Sequence, residues 1–319
     1  MNHAGAQEIR FRCAIAAIND QDTIRVLSQD TSGKIREATC QNGKWTGGTA
    51  DRDVVATGIL GSPIAALCRE MDEMMHVFYI GEGNVVRQVY RDSKGKWCEG
   101  DLDRENIRVA PYAMMCACFV EGSNRSMRVY VQMQDNNIQE FGFEDSRRGW
   151  VKMANVCNAL PGTGLACVAM PGRDMCSSTL LISSRLFCQN DRMDIVEHCC
   201  RDDRTWQRGR LSIERALPRT DLTAFVCGDT ETKVYYIDRD NQVKEVYANA
   251  SDDWKQGEFN QHCVPGSQVA AVSWGQRKEC NIRVYFQSGH QVTAITEWKY
   301  RAGHGAKWEE GQRGLPPAQ

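Results

Sequence analysis

The feature that most constrains the fold of this chain is a sixfold internal repeat. Apolar runs rich in small residues begin near residues 15, 64, 114, 165, 222 and 269, at intervals of 47 to 57 residues. A second apolar strand, a polar turn, a third strand and a tryptophan follow each run, as in IRVLSQ, DTSGK, IREA and GKW of the first unit. One supersecondary unit therefore recurs along the chain, and the fold must pack six copies of it together.

The strands of each unit alternate apolar and polar residues and are rich in Val, Ile, Tyr and Phe, which is typical of half-buried β-strands. No stretch shows the sustained helical periodicity of tetratricopeptide, ankyrin or HEAT repeats. Four short strands per unit at a period near 50 indicate a β-propeller. The sequence therefore predicts an all-β, six-bladed β-propeller with four antiparallel strands per blade, as a single domain over residues 1–319. We place extra residues of the longest interval around 172–179, and Ala16, Ala65 and Ala270 on innermost strands.

Charge and hydropathy exclude several classes of partner. The formal net charge is −2, from 39 basic and 41 acidic side chains, so the chain lacks the basic excess of a nucleic-acid-binding protein. It has no run of 18 apolar residues, so no membrane insertion is expected. The first residues lack an apolar segment followed by a small-residue cleavage site. We therefore expect a protein that is cytoplasmic or released without a secretory signal peptide.

The chain has 15 cysteines, an odd and high number. Since no export signal is evident, we expect most of them to be reduced, half-buried apolar residues. The only close spacings are Cys116-x-Cys118 and Cys199-Cys200, and no histidine lies at zinc-knuckle spacing. The sequence therefore predicts no metal and no cofactor.

Each unit carries a basic or related residue on its second strand and an acid or related residue on its third. The pairs are Arg25/Glu37, His76/Gln88, Arg128/Glu140, Arg185/Glu197, Lys233/Glu245 and Arg283/Glu297. The pair midpoints fall in or beside the polar turns, so we expect the partners to lie directly opposite one another on one face of an antiparallel hairpin. One interpretation is an exposed ion pair that fixes strand register and contributes about 0–1 kcal/mol.

A second interpretation is a binding site for a neutral polyol. Six of the eight tryptophans follow the acid position by 8 to 11 residues, one in each unit. An Arg guanidinium donates to two hydroxyl oxygens, a Glu carboxylate accepts from two hydroxyls, and an indole offers a flat apolar face to a sugar ring. The tryptophans alone also fit a role as core residues at the blade edges. Repetition around a ring would make a multivalent binder.

The unit at 15–48, with IAAI, IRV, GKIREA and GKWTGG, resembles the fungal fucose-specific lectins of the Aleuria aurantia lectin type. PGTGLACVAMPG at 161–172, IVEHC at 195–199 and VAAVSWG with NIRVYFQ at 269–287 carry the same resemblance, which spans the whole chain. It implies a six-bladed propeller that binds L-fucose and fucosylated glycans between adjacent blades, without catalysis, and forms a homodimer.

The resemblance implies that each binding set takes its basic residue and acid from one blade and its tryptophan from the next. We number the sets by the blade that carries the pair. Four sets match the family pattern: Arg25, Glu37 and Trp97 (set 1); Arg128, Glu140 and Trp206 (set 3); Arg185, Glu197 and Trp254 (set 4); Arg283, Glu297 and Trp45 (set 6). Two sets depart from it and are predicted to be weak or degenerate: His76, Gln88 and Trp150 (set 2); Lys233, Glu245 and Trp308 (set 5).

Two other classes of protein remain open at this point. A sialidase-like glycosidase also uses a six-bladed propeller, but it needs one asymmetric catalytic centre and Asp-box turns, and DTSGK at 30–34 lacks that pattern. A protein-interaction propeller would use the pairs only as register-fixing ion pairs. Polar residues that recur in every unit favour several equivalent binding sites over one catalytic centre, so we predict a non-catalytic lectin.

Overall fold

The computed structural model of the chain describes most of its length, and every structural statement below refers to these parts. They are residues 9–20, 23–68, 74–120, 126–144, 149–169, 182–201, 205–214, 216–228, 231–249, 253–275, 280–291, 293–303 and 305–317. The extra residues expected at 172–179 lie outside the described residues.

The first three blades are antiparallel sheets whose strands pair in chain order. Blade 1 has β1 (Ile15–Asp20), β2 (Thr23–Gln29), β3 (Lys34–Gln41) and β4 (Lys44–Gly47), with β5 (Val54–Thr57) also paired to β3. Blade 2 has β6 (Ile64–Cys68), β7 (Met75–Gly81), β8 (Val85–Arg91) and β9 (Trp97–Glu99). Blade 3 has β10 (Met115–Phe119), β11 (Met127–Gln132), β12 (Asn137–Glu144) and β13 (Gly149–Asn158).

The last three blades repeat this arrangement. Blade 4 has β14 (Ala166–Ala169), β15 (Ile182–Gln189), β16 (Ile195–Arg201) and β17 (Thr205–Ile213). Blade 5 has β18 (Leu222–Cys227), β19 (Glu231–Ile237), β20 (Gln242–Ala248) and β21 (Lys255–His262). Blade 6 has β22 (Val269–Trp274), β23 (Asn281–Gln287), β24 (Ile295–Tyr300) and β25 (Trp308–Glu310). The helical segments among the described residues are single 3₁₀ turns at Asp51–Asp53, Glu82–Asn84 and Asp101–Glu105.

The innermost strands close a ring, which confirms the predicted six-bladed β-propeller. Strand β1 contacts both β6 and β22, and the other innermost strands contact their neighbours in the same way. Ala16, Ala65 and Ala270 face the axis together with residues of all six innermost strands, around a channel of about 150 Å³. Small side chains are required there because six strands converge. No helix within the described residues is long and apolar enough to cross a membrane.

The apolar core lies between the blades. Among the described residues, the buried side chains form six clusters, one at each boundary between neighbouring blades. The alternation of each strand sends one set of side chains toward each neighbouring blade, so burial is complete only when the ring is assembled.

Buried glutamines at the ends of four second strands connect neighbouring blades. Gln29 donates to Ile59 O at 2.8 Å, and its Oε1 accepts from Gly61 N at 2.7 Å, in the segment that leads into blade 2. The equivalent residues are Gln132, Gln189 and Gln287, and the last bonds to Arg10 O and Arg12 N where the ring closes. Blades 2 and 5 have isoleucine at this position, whose side chain cannot make such a bond, and they are also the blades without arginine in the binding set.

Candidate functional site

The basic residue and the acid of each pair share one face of their hairpin, but they are diagonal neighbours. In blade 1, Arg25 pairs with Thr39 and Glu37 pairs with Leu27. The same offset of two residues occurs in the other five blades. The prediction that the partners lie directly opposite is therefore wrong. Diagonal partners on one face are still within reach of long side chains.

The side chains of every pair meet. Arg185 Nη1 lies 3.0 Å from Glu197 Oε1, and Lys233 Nζ lies 2.7 Å from Glu245 Oε1. Arg25 bonds to Glu37, and the arginines of sets 3 and 6 lie 3.5 Å from their acids. In set 2, Gln88 Nε2 lies 3.1 Å from His76 Nδ1.

Most of these pairs are buried, which corrects the expectation of exposed ion pairs. The side chains of Arg185 and Glu197 are 4% and 3% exposed, and those of sets 3 and 6 are similarly covered. Set 1 is the most open of the four arginine sets, with Arg25 18% and Glu37 11% exposed. Burial raises the pKa of Glu140, against the lowering effects of the hydrogen bond from Trp206 and of the positive charge of Arg128. The contribution of such a pair to stability is therefore not that of a surface pair.

The tryptophan of each set comes from the next blade, as the resemblance implies. Trp254 Nε1 donates to Glu197 Oε2 at 3.2 Å, Trp206 Nε1 to Glu140 Oε2 at 3.4 Å, and Trp150 Nε1 to Gln88 Oε1 at 3.2 Å. Trp97 packs on the apolar cluster that contains Leu27. Trp45 packs edge-to-face on Tyr285 beside set 6, and Trp308 packs edge-to-face on Tyr235 beside set 5.

Three tyrosines on the second strands donate hydrogen bonds to the acids, and sequence reasoning missed them. Tyr235 Oη donates to Glu245 Oε2 at 2.7 Å, while Tyr130 and Tyr285 donate to Glu140 and Glu297 at 3.1 and 3.2 Å. All three are fully buried and lie two residues after the basic residue. Blades 2 and 4 have Phe78 and Phe187 at the equivalent position. Its aromatic character in five blades is the signal that the sequence offered.

A W-x-x-G motif occurs on the outer strand of five of the six blades. It occurs as WTGG at 45–48, WCEG at 97–100, WQRG at 206–209, WKQG at 254–257 and WEEG at 308–311. The tryptophan contacts the set of the preceding blade. In blades 4, 5 and 6 the glycine lies against the acid of its own blade, and in blade 2 it lies against Gln88, whereas Gly48 in blade 1 lies against Pro316. A Cβ at Gly209 or Gly257 would collide with the carboxylate of Glu197 or Glu245. The missing side chain therefore creates the space that the acid occupies.

Blade 3 lacks the glycine of this motif. Its outer strand has Met153 at the glycine position of the motif. The space for this side chain comes from Gly142 on the third strand, where a Cβ would collide with Met153 Sδ. Gly142 is the residue opposite Arg128. The guanidinium of Arg128 also contacts Glu144 at 2.6 Å, so it is shared between two carboxylates.

Set 2 lacks a cation at neutral pH. Burial lowers the pKa of His76 to about 4, so its imidazole is neutral. Gln88 supplies an amide where the other blades have a carboxylate, and it is held by Trp150 and by Leu102 N. The set therefore keeps the shape of the others but loses both charges.

Set 5 keeps both charges and lines a pocket of about 800 Å³ between blades 5 and 6. Lys233 contacts Glu231 at 3.2 Å as well as Glu245. Its pKa is raised, because the two carboxylates outweigh the burial that works against the charge. Lysine is a point charge and cannot form the two-pronged contact of arginine. A second pocket, of about 470 Å³, lies beside Trp254.

The wall of the set 5 pocket includes a disulfide that the sequence did not predict. It joins Cys227 of β18 to Cys280, the residue before β23, and so connects blades 5 and 6. Twelve other cysteines form no disulfide with another described residue, and the expectation that most of them are reduced stays a prediction. Cys176 lies outside the described residues.

The comparisons with known proteins agree with this geometry. The sequence model of a family described as fungal fucose-specific lectin matches residues 9–318. A fucose-specific lectin of Aspergillus fumigatus is 32% identical over 326 residues, which cover 100% of both chains. The structure of SapL1 lectin in complex with alpha methyl fucoside is 33% identical, with a TM-score of 0.84 over 99% of this chain and 100% of that chain. The fucose-specific lectin from Aleuria aurantia is 26% identical, with a TM-score of 0.81 over 98% of this chain and 100% of that chain.

Proposed function

This chain belongs to the family of fungal fucose-specific lectins, and on that premise we propose that it binds L-fucose and fucosylated glycans at the sets between its blades, without catalysis. Sets 1, 3, 4 and 6 are the principal sites in this proposal. Sets 2 and 5 are weaker, because one lacks both charges and the other has lysine in place of arginine.

One observation carries the proposal, namely the hydrogen bond between Trp254 Nε1 and Glu197 Oε2. A sugar hydroxyl that inserts between these two groups can bond to both of them. A hydroxyl accepts from the indole N–H and donates to the carboxylate, so both keep a partner. A group that only donates would leave the partly buried indole N–H without an acceptor, at about 1–3 kcal/mol, and a group that only accepts would face the negative charge of the carboxylate. The set therefore selects for hydroxyls.

The guanidinium adds a second point of attachment in the same set. Arg185 Nη1 faces Glu197, whereas Arg185 Nε is a buried donor without an acceptor among the described residues. Trp45 Nε1 in set 6 is in the same situation. Buried donors are nearly always paired in native proteins. A hydroxyl oxygen of a bound sugar would supply the missing acceptor once the side chain turns toward it.

Repetition of the sets makes the proposed lectin multivalent. Sites on one rigid ring engage a clustered fucosylated surface together, and avidity then exceeds the affinity of any single site. The recurrence in each blade also argues against a single catalytic centre, as a sialidase would need. The homodimer that the resemblance implies is part of this proposal, and light scattering on the purified protein tests it.

Calorimetric titration with methyl α-L-fucoside tests the function, using a variant designed to retain the fold. Arg128→Met with Glu140→Gln removes both charges of set 3 together, so the acid of the pair is not left as an unpaired buried charge. Trp206 and Tyr130 bond to different oxygens of Glu140, so in the variant the amide oxygen accepts from Trp206 while the amide NH2 donates to the Tyr130 hydroxyl. We expect the stoichiometry to fall by one site while the circular dichroism spectrum is unchanged. Absence of heat with the unmodified protein would refute fucose binding. Agglutination of red cells that free fucose fails to inhibit would also refute it.

A further inference from the structure

We propose that Cys157, Cys188 and His198 form a zinc site that joins blades 3 and 4. Their ligand atoms all lie within 4.8 Å of one another. Cys157 is on β13, the outermost strand of blade 3, whereas Cys188 and His198 are on β15 and β16 of blade 4. Two thiolates and an imidazole are ligands that Zn²⁺ prefers in proteins. The proposal is independent of sugar binding.

The distance between the two sulfur atoms matches a tetrahedral zinc site. Cys157 Sγ and Cys188 Sγ are 3.7 Å apart. Two thiolates at about 2.3 Å from one tetrahedral ion lie about 3.8 Å from each other. An ion therefore fits between the sulfurs with little movement of either strand. A disulfide would require the sulfurs to approach to about 2.05 Å.

The strand pairing brings the third ligand to the same place. Cys188 pairs with Val196, so His198 is its diagonal neighbour on the same face of blade 4. Cys157 pairs with Ile138 within blade 3, which faces blade 4. The side chains of Cys188 and Cys157 belong to one apolar cluster between the two blades.

Charge and burial suit zinc in this cluster. Cys188 is fully buried, and the other two residues are half-buried. Two thiolates, one neutral imidazole and Zn²⁺ sum to zero charge, so the occupied centre adds no net charge beside Arg208, which lies opposite His198 on β17. Binding releases the two thiol protons to solvent and changes no oxidation state. Three protein ligands leave the fourth tetrahedral position to water or to an added ligand.

The test uses the full chain, reduced with a phosphine and stripped with a chelator. After addition of Zn²⁺ and gel filtration, we expect one equivalent of zinc per chain by mass spectrometry. Cobalt(II) in place of zinc should give thiolate-to-metal charge-transfer absorption. Zinc should also raise the melting temperature, because it binds the native state across two blades.

Variants separate this site from the other thiols. Cys157→Ser and His198→Gln, both at half-buried positions, should each lose the equivalent of zinc and the cobalt absorption. Cys98→Ser, at a half-buried cysteine of β9 in blade 2, should keep both. The proposal is overturned if the reduced, folded chain retains no zinc, or if the two cluster variants retain it. It is also overturned if peptide mapping of the protein as isolated shows a Cys157–Cys188 disulfide.

Discussion

The indole N–H of Trp254 donates a hydrogen bond of 3.2 Å to Oε2 of Glu197 across the boundary between blades 4 and 5. The same oxygen accepts from Arg210 N and Leu211 N, at 3.0 and 3.2 Å, and Glu197 Oε1 faces Arg185. The acid is thus held by its own blade, while the tryptophan that completes the set comes from the next. A set is therefore complete only in the assembled ring.

Arg128→Ala should abolish one fucose site and also lower stability. The side chain is buried against Glu140 and Glu144, and removing it leaves Glu140 as a buried carboxylate without its cation. Breaking such a pair typically costs about 3–5 kcal/mol. Denaturant unfolding measures the loss of stability, and calorimetry with methyl α-L-fucoside measures the loss of the site.

The double variant Arg128→Met with Glu140→Gln is the control for this prediction. It should recover most of the stability but not the site. If Arg128→Ala alone left the unfolding midpoint unchanged, the burial argument would be wrong, although the binding role would still stand or fall on the stoichiometry.

His76→Arg together with Gln88→Glu should create a site in blade 2. Trp150 is already in place, and the introduced carboxylate would accept from its indole N–H as the amide oxygen of Gln88 does. The change restores the two charges that set 2 lacks. We expect the number of fucoside molecules bound per chain to rise by one in calorimetry. Gln88→Glu alone is the control, because it adds a buried carboxylate without a cation and should destabilise the fold without adding a site.

His76 should make stability depend on pH in the acid range. Its pKa is about 4 in the folded chain, below the value of about 6.5 in the unfolded chain. The unfolded state therefore binds more protons between these values, and the free energy of unfolding falls as pH falls from about 6.5 to 4. The full difference is about 3 kcal/mol, at about 1.36 kcal/mol per pKa unit. Relative to the unmodified chain, His76→Gln should flatten this part of the profile in thermal melts from about pH 7 to 4.5. If the stability of both proteins changed with pH to the same extent, the lowered pKa of His76 would be contradicted.

The sixfold repeat was enough to predict the propeller and to place Arg, Glu and Trp in common sets, because strand alternation fixes which residues share a face. The exact pairing was not predictable in the same way. The hairpin of blade 1 turns around Asp30, Gly33 and Lys34, where Asp30 N bonds to Lys34 O. A shift of one residue in the centre of a turn moves the partner of Arg25 by two, which turns an opposite pair into a diagonal one.

The buried supports were hidden because they depend on contacts between blades. From the sequence alone, Tyr130 is an ordinary core residue. Only the folded position of Glu140 shows that the Tyr130 hydroxyl has a hydrogen-bond partner. Cys157, Cys188 and His198 have no spacing motif, since they come from strands of two blades. Such clusters follow from the packing of repeats and not from the pattern within one repeat.

Tyr130→Phe should weaken set 3 without removing it. The substitution deletes the hydrogen bond of 3.1 Å to Glu140 Oε1 and keeps the ring that packs on Trp206. We expect a loss of about 1.5–3 kcal/mol in the free energy of unfolding, since one hydrogen bond to a charged acceptor is lost. The number of sites should stay the same, with lower affinity at one of them. Tyr79→Phe, on a second strand but on the opposite face from Phe78, should leave fucoside binding unchanged.

Gly209→Ala should remove set 4, because the new methyl group would occupy the position of the Glu197 carboxylate. Glu197 would have to turn away from Arg185 and Trp254, which lie 3.0 and 3.2 Å from its oxygens. Overpacking of a buried position typically costs about 1–3 kcal/mol, so stability should fall as well. Calorimetry with methyl α-L-fucoside should show one site fewer. Gln207→Ala, at an exposed residue of the same strand, is the matched control and should bind as the unmodified chain does. Unchanged stoichiometry in Gly209→Ala would show that the W-x-x-G motif serves strand packing alone.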